Sequence, residues 1–218
     1  MILCIAEVLE PLALESVRDK LLALPFRDGR DTAGRDAARV KRNLQADPSD
    51  DRAAALKNFL AERIAAHPLF RLAARPARHS PLLLSRYEAG MAYGTHVDDA
   101  IMGGMRSDVS FTLFLCEPDT YAGGALVIES AAGEQEFRLP AGAMVVYPSD
   151  TLHRVEQVTE GTRLAAVGWC QSLIRDPARR ELLFDLDTAR ALPDGEPQRD
   201  RLLARCSANL LRQWGEPG

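Results

Sequence analysis

Between residues 80 and 172 the polar and apolar positions fall into short β-prone runs: LLLSRYE, YGTHVD, VSFTLFLC, GALVIES, QEFRL, AMVVYP, HRVEQV and RLAAVGWCQ. Turn signals separate them, among them Gly103-Gly104, Pro118, Gly123-Gly124, Gly133, Pro140-Ala141-Gly142, Pro148 and Gly161. About eight strands at this spacing, with no helical stretch between them, predict an antiparallel barrel or jelly roll.

The flanks follow a helical period instead. Residues 10–24 place Leu12, Leu14, Val17, Leu21, Leu22 and Leu24 near one face, and Pro25 ends that helix. A second helix is predicted from Ser49, as N-cap, to Ala66, with Pro68 just beyond its end. Residues 26–48 are polar and aperiodic, and read as a surface loop holding at most one short strand. After Asp176-Pro177 helical spacing returns over 177–191 and 198–214, split by Pro193, Gly195 and Pro197. The predicted fold class is α+β with a mainly β core, a double-stranded β-helix (jelly roll) flanked by N- and C-terminal helices. Its parts are a supporting helical segment at 1–79, the jelly-roll core at 80–172 and a helical segment at 173–218.

Composition narrows the class. Apolar residues make up 46% and charged ones 27% of 218 residues, ordinary for a globular chain. The net charge of -4, with Lys and Arg scattered, argues against nucleic-acid or anionic-membrane partners. The N-terminus MILCIAEVLEPLALE meets Glu7 and Glu10 early and has no basic n-region or cleavage site, so no signal peptide is expected. No run is long enough for a membrane span. Cys4, Cys116, Cys170 and Cys206 are far apart and form no CxxC pair, which fits a reducing, cytoplasmic location without a zinc or disulfide framework.

The chemistry rests on few residues. His96 and Asp98 are two apart in YGTHVD, and strand residues i and i+2 face the same way. His153 stands far downstream, after a turn and at the start of another run. A His, a carboxylate and a distant His form the 2-His-1-carboxylate set that holds iron(II) in non-haem oxygenases and leaves coordination positions free. HxD by itself carries little weight, since such a pair is more often exposed or a satisfied core hydrogen bond.

Its companions strengthen the case. Arg163 opens the apolar run RLAAVGWC, where a buried guanidinium needs a carboxylate partner. The distal carboxylate of 2-oxoglutarate is one candidate; Glu156 or Glu160 at the strand end is another. Tyr87 in RYEAG and Tyr93 before His96 carry phenols able to donate to a bound keto acid, with core packing as the alternative. Trp169, on the Arg163 strand, is read as packing.

Together RYEAGMAYGTHVDDA, MRSDVSFTLFL, YAGGALVI and LPAGAMVVYPSDTLHRVEQVTEGTRLAAVGW resemble the prolyl-4-hydroxylase-like branch of the iron(II)/2-oxoglutarate dioxygenases. Within it the chain is most similar to the bacterial PKHD-type hydroxylases, which are associated with iron uptake. VKRNLQAD and CQSLIRDPARRELLFDLD resemble that group too, so the likeness covers most of the chain. The resemblance implies Fe(2+) at His96, Asp98 and His153, 2-oxoglutarate at Arg163 with Tyr87 as the next contact, molecular oxygen as co-substrate and L-ascorbate as reductant. Animal prolyl hydroxylases often supply a tyrosine to the distal carboxylate from the strand that here reads SFTLFL, leaving Thr112 or Ser110 for that role. The carboxylate of Asp98, where halogenases of this superfamily carry a small residue, favours hydroxylation.

The prime substrate stays open between a small molecule and a peptidyl group. Three rivals stand beside the enzyme: a non-catalytic metal- or 2-oxoglutarate-sensing jelly roll, a cupin using another metal, and an interaction protein whose His–Asp pair is incidental. The segments 99–108 and 27–48 read as either lids or plain surface. Lys41-Arg42 is read as a solvated basic pair, an acidic substrate being the other possibility. The C-terminal helices carry more apolar positions than a small barrel needs, and serve either as its support or as a homo-oligomer contact.

Overall fold

The computed structural model describes residues 1–34, 37–193 and 196–216. The chain opens with strand β1 (Leu3–Ile5) and helix α1 (Pro11–Leu22), then β2 (Phe26–Asp28), a 3-10 turn (Gly29–Thr32) and α2 (Ala37–Val40). Next come β3 (Lys41–Arg42), β4 (Leu44–Ala46), α3 (Asp51–Ala66) and α4 (Pro68–Ala74). The strand-rich stretch holds β5 (Pro76–His79), β6 (Leu83–Glu88), β7 (Ala92–His96), β8 (Ile101–Met102), β9 (Met105–Arg106) and β10 (Val109–Phe114). It continues through β11 (Tyr121–Gly123), β12 (Leu126–Ser130), β13 (Gly133–Phe137), β14 (Met144–Pro148), β15 (His153–Val155) and β16 (Val158–Ser172). Helices α5 (Pro177–Arg190) and α6 (Pro197–Trp214) close the chain. Gly195, expected to split them, lies outside the described residues.

All pairings are antiparallel. The larger sheet runs β1-β14-β10-β16-β6-β4-β2, with β11 and β5 also on β16, and the smaller runs β13-β12-β15-β7-β3. Helices flank this jelly roll from both ends of the sequence, as expected.

Period-two alternation sorts the larger sheet into two faces. Along β10, Val109, Phe111 and Leu113 join the helix-side core while Phe114 joins a second cluster inside the barrel. On β14, Met144 and Val146 face the helices, and Val145 and Tyr147 face inward. Leu14, Val17 and Leu21 of α1, Leu56, Leu60 and Ile64 of α3, and Phe70 of α4 cover the outer face. Phe70 meets Phe111 edge-on at 5.2 Å. With both faces buried, these strands read as almost continuous apolar runs, which is why the sequence locates them.

The N-terminal segment departs from expectation. Residues 26–48 hold three strands, β2, β3 and β4, and the side chains buried there are mostly polar: Lys41, Asn43, Gln45 and Asp47, with Ala46 the apolar exception. An apolar period had nothing to detect there. Asp50, not Ser49, caps α3: its carboxylate accepts from the Arg52 N–H at 2.8 Å, while Ser49 turns its hydroxyl to Asp47 at 2.7 Å. A carboxylate suits the positive helix start better than a hydroxyl. Pro68 follows α3 but also opens α4, in the first-turn position proline favours. Among the described residues no helix is long and apolar enough to cross a membrane.

Candidate active site

His96 ends β7, His153 begins β15, and the two are Cα partners across that strand pair. Asp98 lies just past the end of β7. Register therefore brings the distant histidine to the first, and the chain turn delivers the carboxylate. One ligand atom from each of the three residues lies within 4.8 Å of the others. His96 Nε2 stands 3.9 Å from Asp98 Oδ1, and His153 Nε2 stands 3.8 Å from Asp98 Oδ2.

Both rings are preset. His96 Nδ1 lies 2.9 Å from the Gly94 carbonyl and His153 Nδ1 lies 2.9 Å from that of Thr151. A carbonyl only accepts, so Nδ1 carries a proton in each ring, and Nε2 is the nitrogen turned to the common centre. Burial, and then the neighbouring His153, push the His96 imidazole down to about 4, so it stays neutral at physiological pH. Tyr93 stacks on His96 at 3.7 Å, and Tyr147 meets His153 edge-on at 5.1 Å. Ser110 donates to Asp98 Oδ2 at 2.6 Å and also bonds Ser149 at 2.8 Å.

Arg163 is 1% exposed, and its Nε and Nη2 have no hydrogen-bond partner. No carboxylate among the described residues lies within 4.0 Å of it, so the Glu156 or Glu160 pairing is not made. Its guanidinium carbon stands 5.3 Å from the ring centres of both Tyr87 and Phe114, and Tyr87 is its Cα partner on β6. Burial pushes the Tyr87 phenol up, with Arg163 opposing. Of the two hydroxyls expected to assist, Ser110 is committed to Asp98, whereas Thr112 lines the cavity beside the triad.

That cavity has a volume of about 630 Å³ and receives walls from both sheets. Trp169, read as packing, lies on its wall with an unpartnered indole N–H. The hairpin β8–β9 contributes Ile101, Met102 and Met105, and the 27–48 segment contributes Thr32, Lys41, Asn43 and Gln45. Sequence reasoning missed Thr32, Asn43 and Gln45, and gave Lys41 a place near substrate only as the second possibility. The available signal was the alternation Lys41-x-Asn43-x-Gln45, a strand period written in polar residues. Lys41 is 4% exposed, so the solvated basic pair is corrected: Arg42 faces solvent and Lys41 faces the cavity.

The donor set suits a divalent metal: two imidazole nitrogens and one carboxylate, each oriented by a hydrogen bond to its own surroundings. The orphaned guanidinium suits a carboxylate. Residues 82–171 match the family model of the 2OG-Fe(II) oxygenase superfamily. A PKHD-type hydroxylase of Acaryochloris marina is 51% identical over 220 residues, covering 99% of this chain and all of that one. The chain belongs to the PKHD-type hydroxylases. A second such hydroxylase, from Synechococcus elongatus, is 50% identical over 223 residues with the same coverage. A PKHD-type hydroxylase is an iron(II)- and 2-oxoglutarate-dependent dioxygenase, and this chain is one. Among solved structures, a Trichoplax adhaerens prolyl hydroxylase in complex with a hypoxia-inducible-factor peptide shares the fold. The TM-score is 0.55 at 16% identity, over 83% of this hydroxylase and 86% of that chain.

Proposed function

We propose that this hydroxylase holds iron(II) through His96, Asp98 and His153, holds 2-oxoglutarate through Arg163 and Tyr87, and hydroxylates a C–H bond of an organic substrate. One observation carries the reading: a pre-oriented His–Asp–His set shares the barrel interior with a buried guanidinium two of whose nitrogens have no hydrogen-bond partner. Bound there, the metal and the keto acid supply the oxidation, in which one atom of O2 enters the substrate C–H bond and the other enters succinate as CO2 leaves.

The chain's own residues set the stage for this. The Gly94 and Thr151 carbonyls fix the imidazole tautomers, and Ser110 fixes the Asp98 carboxylate. Arg163 anchors the distal carboxylate, with Thr112 the hydroxyl left to assist. Phe114, Leu126 and Val155 keep the inner end apolar, which strengthens that ion pair and excludes water. L-Ascorbate is the reductant that keeps the metal ferrous. Four free cysteines fit a cytosolic site of action, and the resemblance to hydroxylases associated with iron uptake extends to a role in iron homeostasis.

The test uses anaerobically purified protein with iron(II), ascorbate and labelled 2-oxoglutarate, followed by admission of oxygen and measurement of succinate. Succinate should form slowly without a prime substrate and vanish in His153→Ala and Arg163→Ala. Absence of iron(II) binding in equilibrium dialysis would overturn the ligand set.

A further inference from the structure

The inner face of the β3–β4 segment carries a polar row that none of the roles above uses. Lys41, Asn43 and Gln45 are each 4% exposed, alternate along extended chain and line the triad's cavity. Lys41 Nζ donates to Thr32 Oγ1 at 3.1 Å, and that hydroxyl also bonds Gln45 Oε1 at 2.6 Å. The ammonium sits 5.1 Å from the Tyr93 ring centre, and Tyr93 is the ring stacked on His96. Lys41 is thus one aromatic ring away from the metal set.

A buried ammonium is costly unless an anion answers it. No carboxylate among the described residues lies within 4.0 Å of Lys41, and the Thr32 hydroxyl answers only one of its three N–H donors. The more distant Asp98 helps, but its charge is taken up once a cation occupies the triad. Asn43 stands next in the row. Its amide lies close enough to the Tyr87 phenol to interact with it, and has no other hydrogen-bond partner. The fold makes space for it, since a Cβ at Gly29 would come within 1.8 Å of Asn43 Oδ1. Lys41 and Asn43 therefore keep N–H donors to spare along one wall of the substrate cavity. A single negative charge fits better than a dianion, because Asp98 and Asp99 line the same cavity.

We propose that Lys41, with the Asn43 amide, docks a carboxylate of the prime substrate, so that this hydroxylase takes a carboxylate-bearing compound. The inference rests on the proposed metal and co-substrate sites. A free terminal carboxylate and a peptidyl side-chain carboxylate share this chemistry.

The test uses zinc-loaded protein saturated with 2-oxoglutarate, which cannot turn over, and matched probes followed by ligand-observed NMR titration. N-acetylglycine against N-acetylglycinamide reports a terminal carboxylate. N-acetylaspartate N-methylamide against its asparagine counterpart reports a side-chain carboxylate. At least one acid should bind roughly tenfold or more tighter than its amide, as expected for a charge-assisted hydrogen bond. The pair that shows the preference identifies the source. The preference should collapse in Lys41→Met and return in large part in Lys41→Arg. Equal binding of acid and amide, no acid binding at all, or a preference that survives Lys41→Met would each overturn the proposal. So would a Lys41→Met variant whose 2-oxoglutarate affinity falls as far as its acid affinity, since Lys41 would then serve the co-substrate. Failure of zinc or 2-oxoglutarate to bind the parent protein would instead overturn the site assignment beneath it.

Discussion

His96 and His153 face each other as Cα partners across β7 and β15, with ring centres 4.3 Å apart, and each donates Nδ1–H to the carbonyl two residues before it. Strand register and backbone carbonyls thus orient both imidazoles. Asp98 is different: its carboxylate takes its orientation from a side chain, the Ser110 hydroxyl, which Ser149 braces from behind.

Ser110→Ala should therefore weaken iron(II) binding without disturbing the fold. Removing such an outer partner of a metal ligand costs about 10–100-fold in metal affinity or activity. The apoprotein should lose only about 1 kcal/mol, the worth of an ordinary hydrogen bond. Chelator competition and a denaturant titration read the two quantities separately. Unaltered metal affinity would mean that the backbone alone positions Asp98.

Arg163 is the second point of leverage. A guanidinium 1% exposed with two unpartnered nitrogens costs the apoprotein stability. Arg163→Met should leave the apoprotein as stable as the parent, or raise its stability by about 1–3 kcal/mol. The same variant should lose the stabilisation that 2-oxoglutarate confers on metal-loaded protein, about 2.7 kcal/mol at a hundredfold excess over Kd. Melting curves with and without the keto acid measure both effects. A variant that melts well below the parent yet still responds to 2-oxoglutarate would remove Arg163 from the co-substrate site.

These sites were unequally legible. The eight core strands were readable because β10, β14 and β16 are buried on both faces and so spell apolar runs between turn residues. The clustering of His96, Asp98 and His153 and the burial of Arg163 were readable because histidine is scarce and an Arg at the head of an apolar strand demands an explanation. The Lys41-Asn43-Gln45 row was not. Its strand period is carried by polar side chains that face a cavity, and a polar, Asp- and Arg-rich stretch reads as a solvated loop until the tertiary structure buries it. Ser110 hid for another reason: which carboxylate or hydroxyl it serves depends on the antiparallel register that sets it beside Tyr147 and Trp169.

Burial also makes Lys41 a source of pH-dependent stability. Desolvation pushes its ammonium from 10.5 down to about 8, with Asp98 and Asp28 opposing. A depressed lysine binds fewer protons folded than unfolded between those two values, so stability rises with pH across that window. At pH 7 the desolvation cost is fully present. Lys41→Met should therefore be more stable than the parent at pH 7, and the gap should narrow as pH climbs from about 8 toward 10.5. Guanidinium unfolding of apoprotein at pH 7 and pH 10 checks this. A gap that is constant or widens would show that Lys41 is not strained by burial.

Gly124 links backbone geometry to the proposed co-substrate site. Its φ is +65°, and a Cβ there would lie 2.8 Å from Val158 Cγ2 and 3.1 Å from Arg163 Cδ. Gly124→Ala therefore meets two costs: about 1–2 kcal/mol for a left-handed alanine, and a displacement of Val158 and the Arg163 stem. The second cost reaches the guanidinium, because the Arg163 side chain is closely packed between Tyr87 and Phe114 and cannot shift without moving its head. Gly133→Ala is the control, with φ +108° and open space around its Cβ, so it carries backbone strain alone. Both variants should lose stability in urea unfolding. Only Gly124→Ala should also weaken 2-oxoglutarate binding to the metal-loaded protein, by roughly tenfold if the pair loses one charge-assisted hydrogen bond. Equal 2-oxoglutarate affinity in the two variants would mean that the Arg163 stem yields without moving the group that binds.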